Sequence, residues 1–198
     1  EIPKRDWSSD VCSSDLGGYL QMIDQTRLPA SFDYLDYHSA TGVAEGIRSM
    51  VVRGAPAIGV AAAYGVALEA LRLCHQPDID FDTSLEQGFA MLAASRPTAV
   101  NLFWALERMR TCWQQQNALT KPALAQRLLA EAKFIHEDDV RINHAIGEHG
   151  AALLPDGARV LTHCNAGALA TGGHGTALGV IRSAVAAGKS VQIGRAHV

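Results

Sequence analysis

The sequence predicts an α/β fold: a mostly helical N-terminal region with a small antiparallel β element, followed by the opening of a parallel sheet. Three observations carry this. Apolar residues recur at helical spacing in successive stretches between 41 and 153. Two short aromatic-rich runs bounded by Gly and Pro precede them. After Pro155-Asp156-Gly157, an apolar run, a small-residue helix and a second apolar run follow in β-α-β order.

The runs at 19–23 and 32–37 are bounded by Gly17-Gly18, Leu28-Pro29 and His38-Ser39 and read as paired strands. Thr41 is placed to cap a helix in which Val43, Ala44, Ile47, Met50 and Val51 form one stripe. Pro56 suits the first turn of the next helix, because its missing N–H is not needed there. That helix, 57–73, is apolar nearly all round and should be buried. A loop at 78–82 leads to a helix at 84–94. Thr98 is placed to cap a helix over 99–115, with Leu102, Phe103, Leu106 and Met109 facing inward. Two helices, 122–136 and 138–153, complete the region. A strand at 159–162, a helix at 167–187 and a strand opening at Ser190-Val191 follow.

The two ends read differently. Residues 6–16, Asp-Trp-Ser-Ser-Asp-Val-Cys-Ser-Ser-Asp-Leu, are the in-frame translation of a widely used sequencing-library adapter, and residues 192–198 that of its partner. The natural segment is therefore expected to run from about Gly17 to Val191, with 1–16 and 192–198 foreign and excluded from fold reasoning. Residues 17–155 would form the helical domain and 156–191 the first βα unit of the second.

At 198 residues and 48% hydrophobic, the chain can bury one good core. Its formal net charge of −3 becomes −1 once the three Asp of 6–16 and Arg195 are set aside, so no basic footprint for nucleic acid or an anionic membrane remains. The longest apolar run, 58–68, is too short to span a bilayer, and no signal pattern precedes it. Of four cysteines, Cys12 lies in the foreign segment, and the other three form no Cys-x-x-Cys pair. Free thiols in a reducing cytoplasm are expected.

Two motifs carry chemistry. In Thr162-His163-Cys164-Asn165-Ala166-Gly167 a strand gives way to the expected helix through small residues, which would bring backbone N–H groups and a helix N-terminus to the Cys164 thiol. A free cysteine is ordinarily a small buried hydrophobe. The polar flank of His163 and Asn165 argues against that here. In Arg53-Gly54-Ala55-Pro56, Gly54 and Ala55 permit close backbone approach, the following helix presents N–H groups, and Arg53 adds a bidentate cation, as a phosphate site requires. A helix-helix turn with a surface arginine fits the same four residues. Arg96, ahead of Pro97-Thr98, reads on its own as a solvated loop arginine. His174, in Gly172-Gly173-His174-Gly175, reads as packing. His136, His144 and His149 are not spaced to stack metal ligands on one helical face, so no metal is expected.

These segments together resemble the methylthioribose-1-phosphate isomerase family. All seven residues from Arg53 to Gly59 fit its pattern, Arg96 to Leu102 stands where the family has Arg-Pro-Thr-Ala-Val-Asn-Leu, and the match runs without a gap from Leu161 to Thr171. The resemblance covers nearly all of 23–191. It implies that Cys164 is catalytic, that Arg53, Gly54, Ala55 and Arg96 bind a sugar phosphate, and that no cofactor is needed. It also implies a Rossmann-like second domain, truncated here, and a homodimer in the full-length parent. The family's general-acid aspartate and its further Gln and Asn-Lys substrate residues have no counterpart in this chain. The same superfamily holds ribose-1,5-bisphosphate isomerase and regulatory subunits of an initiation-factor nucleotide-exchange complex, which share the fold without all sharing the chemistry.

Overall fold

Strand β1 (Leu20–Ile23) pairs antiparallel with β2 (Tyr34–Tyr37), Leu20 opposite Tyr37 and Ile23 opposite Tyr34. This is the expected small sheet. The computed structural model describes residues 18–116 and 118–195; the segments 1–16 and 196–198 read as foreign lie outside the described residues.

Helix α1 (Ala40–Arg48) follows at once. Its cap is Ser39, whose Oγ accepts from the Gly42 N–H at 3.2 Å, and not Thr41 as the sequence suggested. The earlier start is set by a tertiary partner. Ala40 donates its N–H to Oε2 of buried Glu69 at 3.1 Å, and the other oxygen of Glu69 is paired with Arg72. A carboxylate at a helix N-terminus satisfies an orphan donor and opposes the positive end of the dipole.

Glu69 belongs to α2 (Ala55–Leu73), the central element, which packs against α1, α3 (Phe81–Ala93), α4 (Val100–Gln114) and α5 (Lys121–Leu153). Pro56 stands in its first turn, as expected. By length and composition α2 could cross a membrane, longer than the run read from sequence, but 78% of its most apolar window is buried inside the protein. It is the core helix. Phe89, Leu85 and Leu92 of α3 and Leu102 and Met109 of α4 close around it, all fully buried.

Asp80 caps α3 by accepting from the Asp82 and Thr83 N–H groups, so the helix begins three residues before the expected Ser84. In α4 the cap position falls to Ala99, without a side-chain bond, and not to Thr98. Leu102, Ala105, Leu106, Met109 and Cys112 form the buried stripe, whereas Phe103, expected inside, is 43% exposed because it lies about 100° around the helix from Leu102.

The two helices expected at 122–136 and 138–153 are one, α5, roughly 50 Å long at the usual rise per residue. Asp138, where the second helix is expected to start, does not cap one. Asp138 is paired with Arg141, and Asp139 accepts from Asn143 and from a distant loop. The first half of α5 buries Leu124, Leu128, Ala132 and Ile135 in the helical core, and the second half lays Gly147 and Gly150 against α6 (Ala177–Ala186). One rigid rod therefore serves both regions.

Beyond Pro155-Asp156-Gly157, β3 (Ala158–Thr162) pairs parallel with β4 (Val191–Arg195), Ala158 opposite Val191 and Thr162 opposite Arg195, with α6 as the crossover. Residues 192–195, read as foreign, thus lie in register in the sheet. Lys189 donates to the Ala151 and Leu154 carbonyls at 2.8 and 2.7 Å, placing a cation on the C-terminus of α5.

Candidate functional site

The strand-end motif lies on a loop, and no helix begins at Cys164. α6 starts at Ala177, ten residues after the expected 167, with one turn of 3-10 helix (Ala168–Ala170) between. The reason is local. His174 and Gly175 take left-handed backbone (φ 66° and 93°), and a glycine-rich stretch is a poor helix former. Thr171 stitches the turn internally, its hydroxyl donating to the Gly173 carbonyl at 2.8 Å and accepting from the Gly173 N–H at 3.1 Å. The loop then returns to its origin, Thr176 and Leu178 donating to the Ala166 carbonyl.

Within it, Thr162 and Ala166 are buried while His163, Cys164 and Asn165 are exposed. Cys164 has φ 69°, a left-handed conformation that costs a non-glycine residue on the order of 1–3 kcal/mol and persists only where surrounding contacts enforce it. The other free thiols of the described residues are less exposed, Cys74 half-buried and Cys112 buried. Burial pushes both Cys74 and Cys112 above the ordinary thiol range, which disfavours the reactive thiolate.

The Cys164 loop is held from three sides. Gln25 donates to the Leu169 carbonyl at 2.8 Å, while its own N–H donates to Val51 in the connector between α1 and α2. Gly54, in the same connector, has φ 103° and presses directly on the 3-10 turn: a Cβ there would lie 2.4 Å from Ala170 Cα and 2.6 Å from its carbonyl oxygen. No other residue fits. From the third side, Asp139 and His136 of α5 grip the Gly172 peptide.

The structure therefore brings Arg53 and Gly54 to the loop that carries Cys164. Arg53 is exposed, Ala55 opens α2 and is exposed, and the first turn of α2 adds unpaired backbone donors at that point. Arg96 is half-buried in a separate turn, in which Ala99 donates to the Arg96 carbonyl at 3.0 Å. Its helix is a neighbour, since Gly59 of α2 abuts the Asn101 carbonyl at the start of α4, so the connectors bearing Arg53 and Arg96 precede adjacent helix N-termini. A cleft beside them is lined by Pro56, Asn101, Trp104, Asp139 and Ile142 among others. Seven arginines of the described residues are ion-paired to carboxylates; Arg53 and Arg96 make no side-chain hydrogen bond or ion pair among those residues.

Sequence reasoning missed Gln25, His136 and Asp139. Their signal was weak, because each acts through a backbone group of a residue far away in sequence. From the sequence His136 reads only as a candidate metal ligand, whereas its ring lies 2.9 Å from the Gly172 carbonyl oxygen.

A helical unit whose glycine connector abuts a strand-end loop of an adjoining parallel α/β unit sets the class of protein, and its sequence identifies the family. Residues 51–195 match the Initiation factor 2 subunit family, to which this chain belongs. It is 65% identical over 176 residues to a methylthioribose-1-phosphate isomerase of Albidiferax ferrireducens, covering 89% of this chain and 50% of that protein. It is 54% identical over 176 residues to the protein of that name in Syntrophotalea carbinolica, covering 89% and 51%. Among solved structures, 5-methylthioribose 1-phosphate isomerase from Pyrococcus horikoshii superposes with TM-score 0.81 at 30% identity, over 98% of this chain and 63% of that one. The translation initiation factor eIF-2B subunit delta from A. fulgidus does so with TM-score 0.77 at 39% identity, over 93% and 53%. The chain spans about half the length of the curated relatives it matches.

Proposed function

We propose that this chain supplies the phosphate-binding connectors and the thiol of a sugar-phosphate isomerase that converts 5-methylthioribose 1-phosphate to 5-methylthioribulose 1-phosphate in methionine salvage. The observation that carries the reading is the packing of Gly54 on Ala170, which sets the Arg53 connector against the Cys164 loop. The 65% identity to a relative of that name supports it.

Phosphate on the anomeric oxygen blocks spontaneous ring opening, so such a site must open the ring by acid catalysis and then move hydrogen from C2 to C1, as proton or hydride. Arg53 and Arg96, with the N–H groups at Gly54 and Ala55, would hold the phosphate and fix the sugar relative to Cys164. Cys164 would face the reacting carbons. The general acid, an aspartate, and the remaining sugar-binding residues would come from sequence this chain does not cover, so the 198-residue chain would be inactive alone. On this reading residues 17–155 and 156–191 are parts of two domains, the second Rossmann-like, of a cytoplasmic homodimer that binds no nucleic acid.

The likeness to the eIF-2B delta structure favours one alternative, a regulatory subunit that binds a sugar phosphate or nucleotide without turnover. An assay of the full-length protein with 5-methylthioribose 1-phosphate separates them. Turnover is expected from the full-length protein and none from the 198-residue chain; a folded full-length protein without turnover would favour the regulatory reading.

A further inference from the structure

We propose that Asp139 and His136 are positioning residues for Cys164, holding the N–H and the carbonyl of Gly172 so that the loop bearing the thiol keeps one geometry against the Arg53 connector. This deepens the reading of Cys164 as the reactive thiol and rests on it.

The two residues stand one turn apart on α5 and so share a face. Asp139 Oδ2 accepts from the Gly172 N–H at 2.6 Å, a short charge-assisted bond, and His136 Nε2 lies 2.9 Å from the Gly172 carbonyl oxygen. Because a carbonyl only accepts, Nε2 donates in this contact, and Nδ1 of the same ring lies 3.3 Å from the Tyr64 hydroxyl. Tyr64 belongs to α2, so the same chain of bonds ties the loop to the helix that begins at Gly54. Asn143, one turn further along α5, donates to Asp139 Oδ2 at 3.0 Å and holds the carboxylate in place.

The joint is built to tight tolerance. A Cβ on Gly172 would meet His136 Cδ2 at 2.7 Å and Asp139 Oδ2 at 3.0 Å, so glycine is what lets the peptide sit between them. Burial raises the Asp139 carboxyl above its usual range, opposed by the Gly172 bond and by His136. A charge-bearing group kept half out of water in mid-helix is costly unless its partners require it there. A residue needed only for packing would not need a hydrogen-bond acceptor here: α5 already anchors its first half through Leu124, Leu128 and Ile135. The exposed Cys164 segment spans from β3 at Thr162 to Ala166, and the contacts at Leu169, Ala170 and Gly172 fix the part of the loop that follows it. Release of one anchor should therefore shift the thiol more than it loosens the fold.

The test uses the full-length protein with Asp139→Ala, Asp139→Asn and Gly172→Ala. Asn keeps an acceptor for the Gly172 N–H but not the charge. Asp139→Ala should lower kcat roughly ten- to a hundredfold, with KM for 5-methylthioribose 1-phosphate little changed, since small displacements of a reacting group cost rate. It should also speed Gly172 amide exchange and alter the rate of iodoacetamide attack on Cys164. Asp139→Asn should restore all three substantially, and Gly172→Ala should reproduce the loss from the loop side. A folded Asp139→Ala protein with unaltered kcat, or a loss that Asp139→Asn shares in full, overturns the proposal. If Asp139→Ala does not fold, an unaltered kcat in Gly172→Ala overturns it alone. Retained turnover in Cys164→Ala would instead sink the reading of Cys164, leaving the amide-exchange result at Gly172 as a separate measure of the clamp. If wild type shows no turnover, the exchange and alkylation rates decide.

Discussion

The helical unit and the β3–α6–β4 unit bury their apolar residues very differently. Around α2, side chains such as Leu85, Phe89, Leu102 and Met109 are at most 1% exposed. In the parallel pair, Leu161 is 72% and Ile193 56% exposed, and Val185 on α6 is 57% exposed. Two parallel strands with one crossover helix cannot cover both faces of their sheet, and parallel sheets are ordinarily covered on both. Stability therefore resides in the first unit. The candidate chemistry sits on the loop of the second, kept in place by Gln25, Gly54 and α5 of the first.

The sharpest separation of the two should come from Cys164→Ser in the full-length protein. Turnover is expected to fall roughly a hundred- to ten-thousandfold, the span of a lost catalytic group, with the thermal midpoint nearly unchanged. A small loss of activity would break the division. The converse is Leu102→Ala, which empties a fully buried site and should cost about 2–5 kcal/mol in denaturant unfolding without raising KM. Leu161→Ala should stay within about 0.5 kcal/mol in the 198-residue chain, and cost clearly more in a full-length protein whose added sheet covers it. Equal costs in the two would argue that Leu161 remains exposed.

Arg53→Ala should weaken phosphate-ester binding roughly ten- to a hundredfold, as a lost charge-assisted contact of about 1.5–3 kcal/mol requires, and Arg96→Ala should act the same way. Isothermal titration would check both. Unchanged affinity in the two single variants would reject the assignment.

The fold was legible wherever local pattern and tertiary context agree. Pro56 and the all-round apolar run specify α2, and turn residues at Pro155-Asp156-Gly157 mark the change to strand. The pattern misled where a side chain is committed elsewhere. Asp138 looks like a helix start, yet it binds Arg141 while Asp139 beside it binds Gly172, and α5 runs on. Residues 167–176 look helical from their small side chains, yet the peptide at Gly172 is held by α5 and the backbone inverts at His174 and Gly175. Cys164, Arg53 and Arg96 were visible as motifs. That Gly54 touches Ala170 was not, because a contact between two backbones leaves no periodic trace.

The smallest effect concerns His174, which stacks on His144 at 4.0 Å between ring centroids and lies 2.9 Å from Ser183 Oγ. Burial first, then His144 and Arg182, lower its pKa below the ordinary 6.5, with Glu148 opposing. The unfolded chain therefore takes up this proton before the folded one does, so stability falls as pH drops from about 6.5 through the lower folded value. Amide exchange in α6 should quicken modestly over that window, and His174→Gln should flatten the response. No pH dependence in the wild type would show that the stacked pair titrates normally.

The central claim is that Cys164 and the Arg53 connector belong to one ligand site. Iodoacetamide labelling of the full-length protein with peptide mapping, with and without 5-methylthioribose 1-phosphate, tests it most directly. Cys164 should be modified ahead of Cys74 and Cys112, the sugar phosphate should protect it, and Arg53→Ala should abolish that protection at the same concentration. Labelling of Cys164 that the sugar phosphate leaves untouched in a protein that binds it would contradict the account.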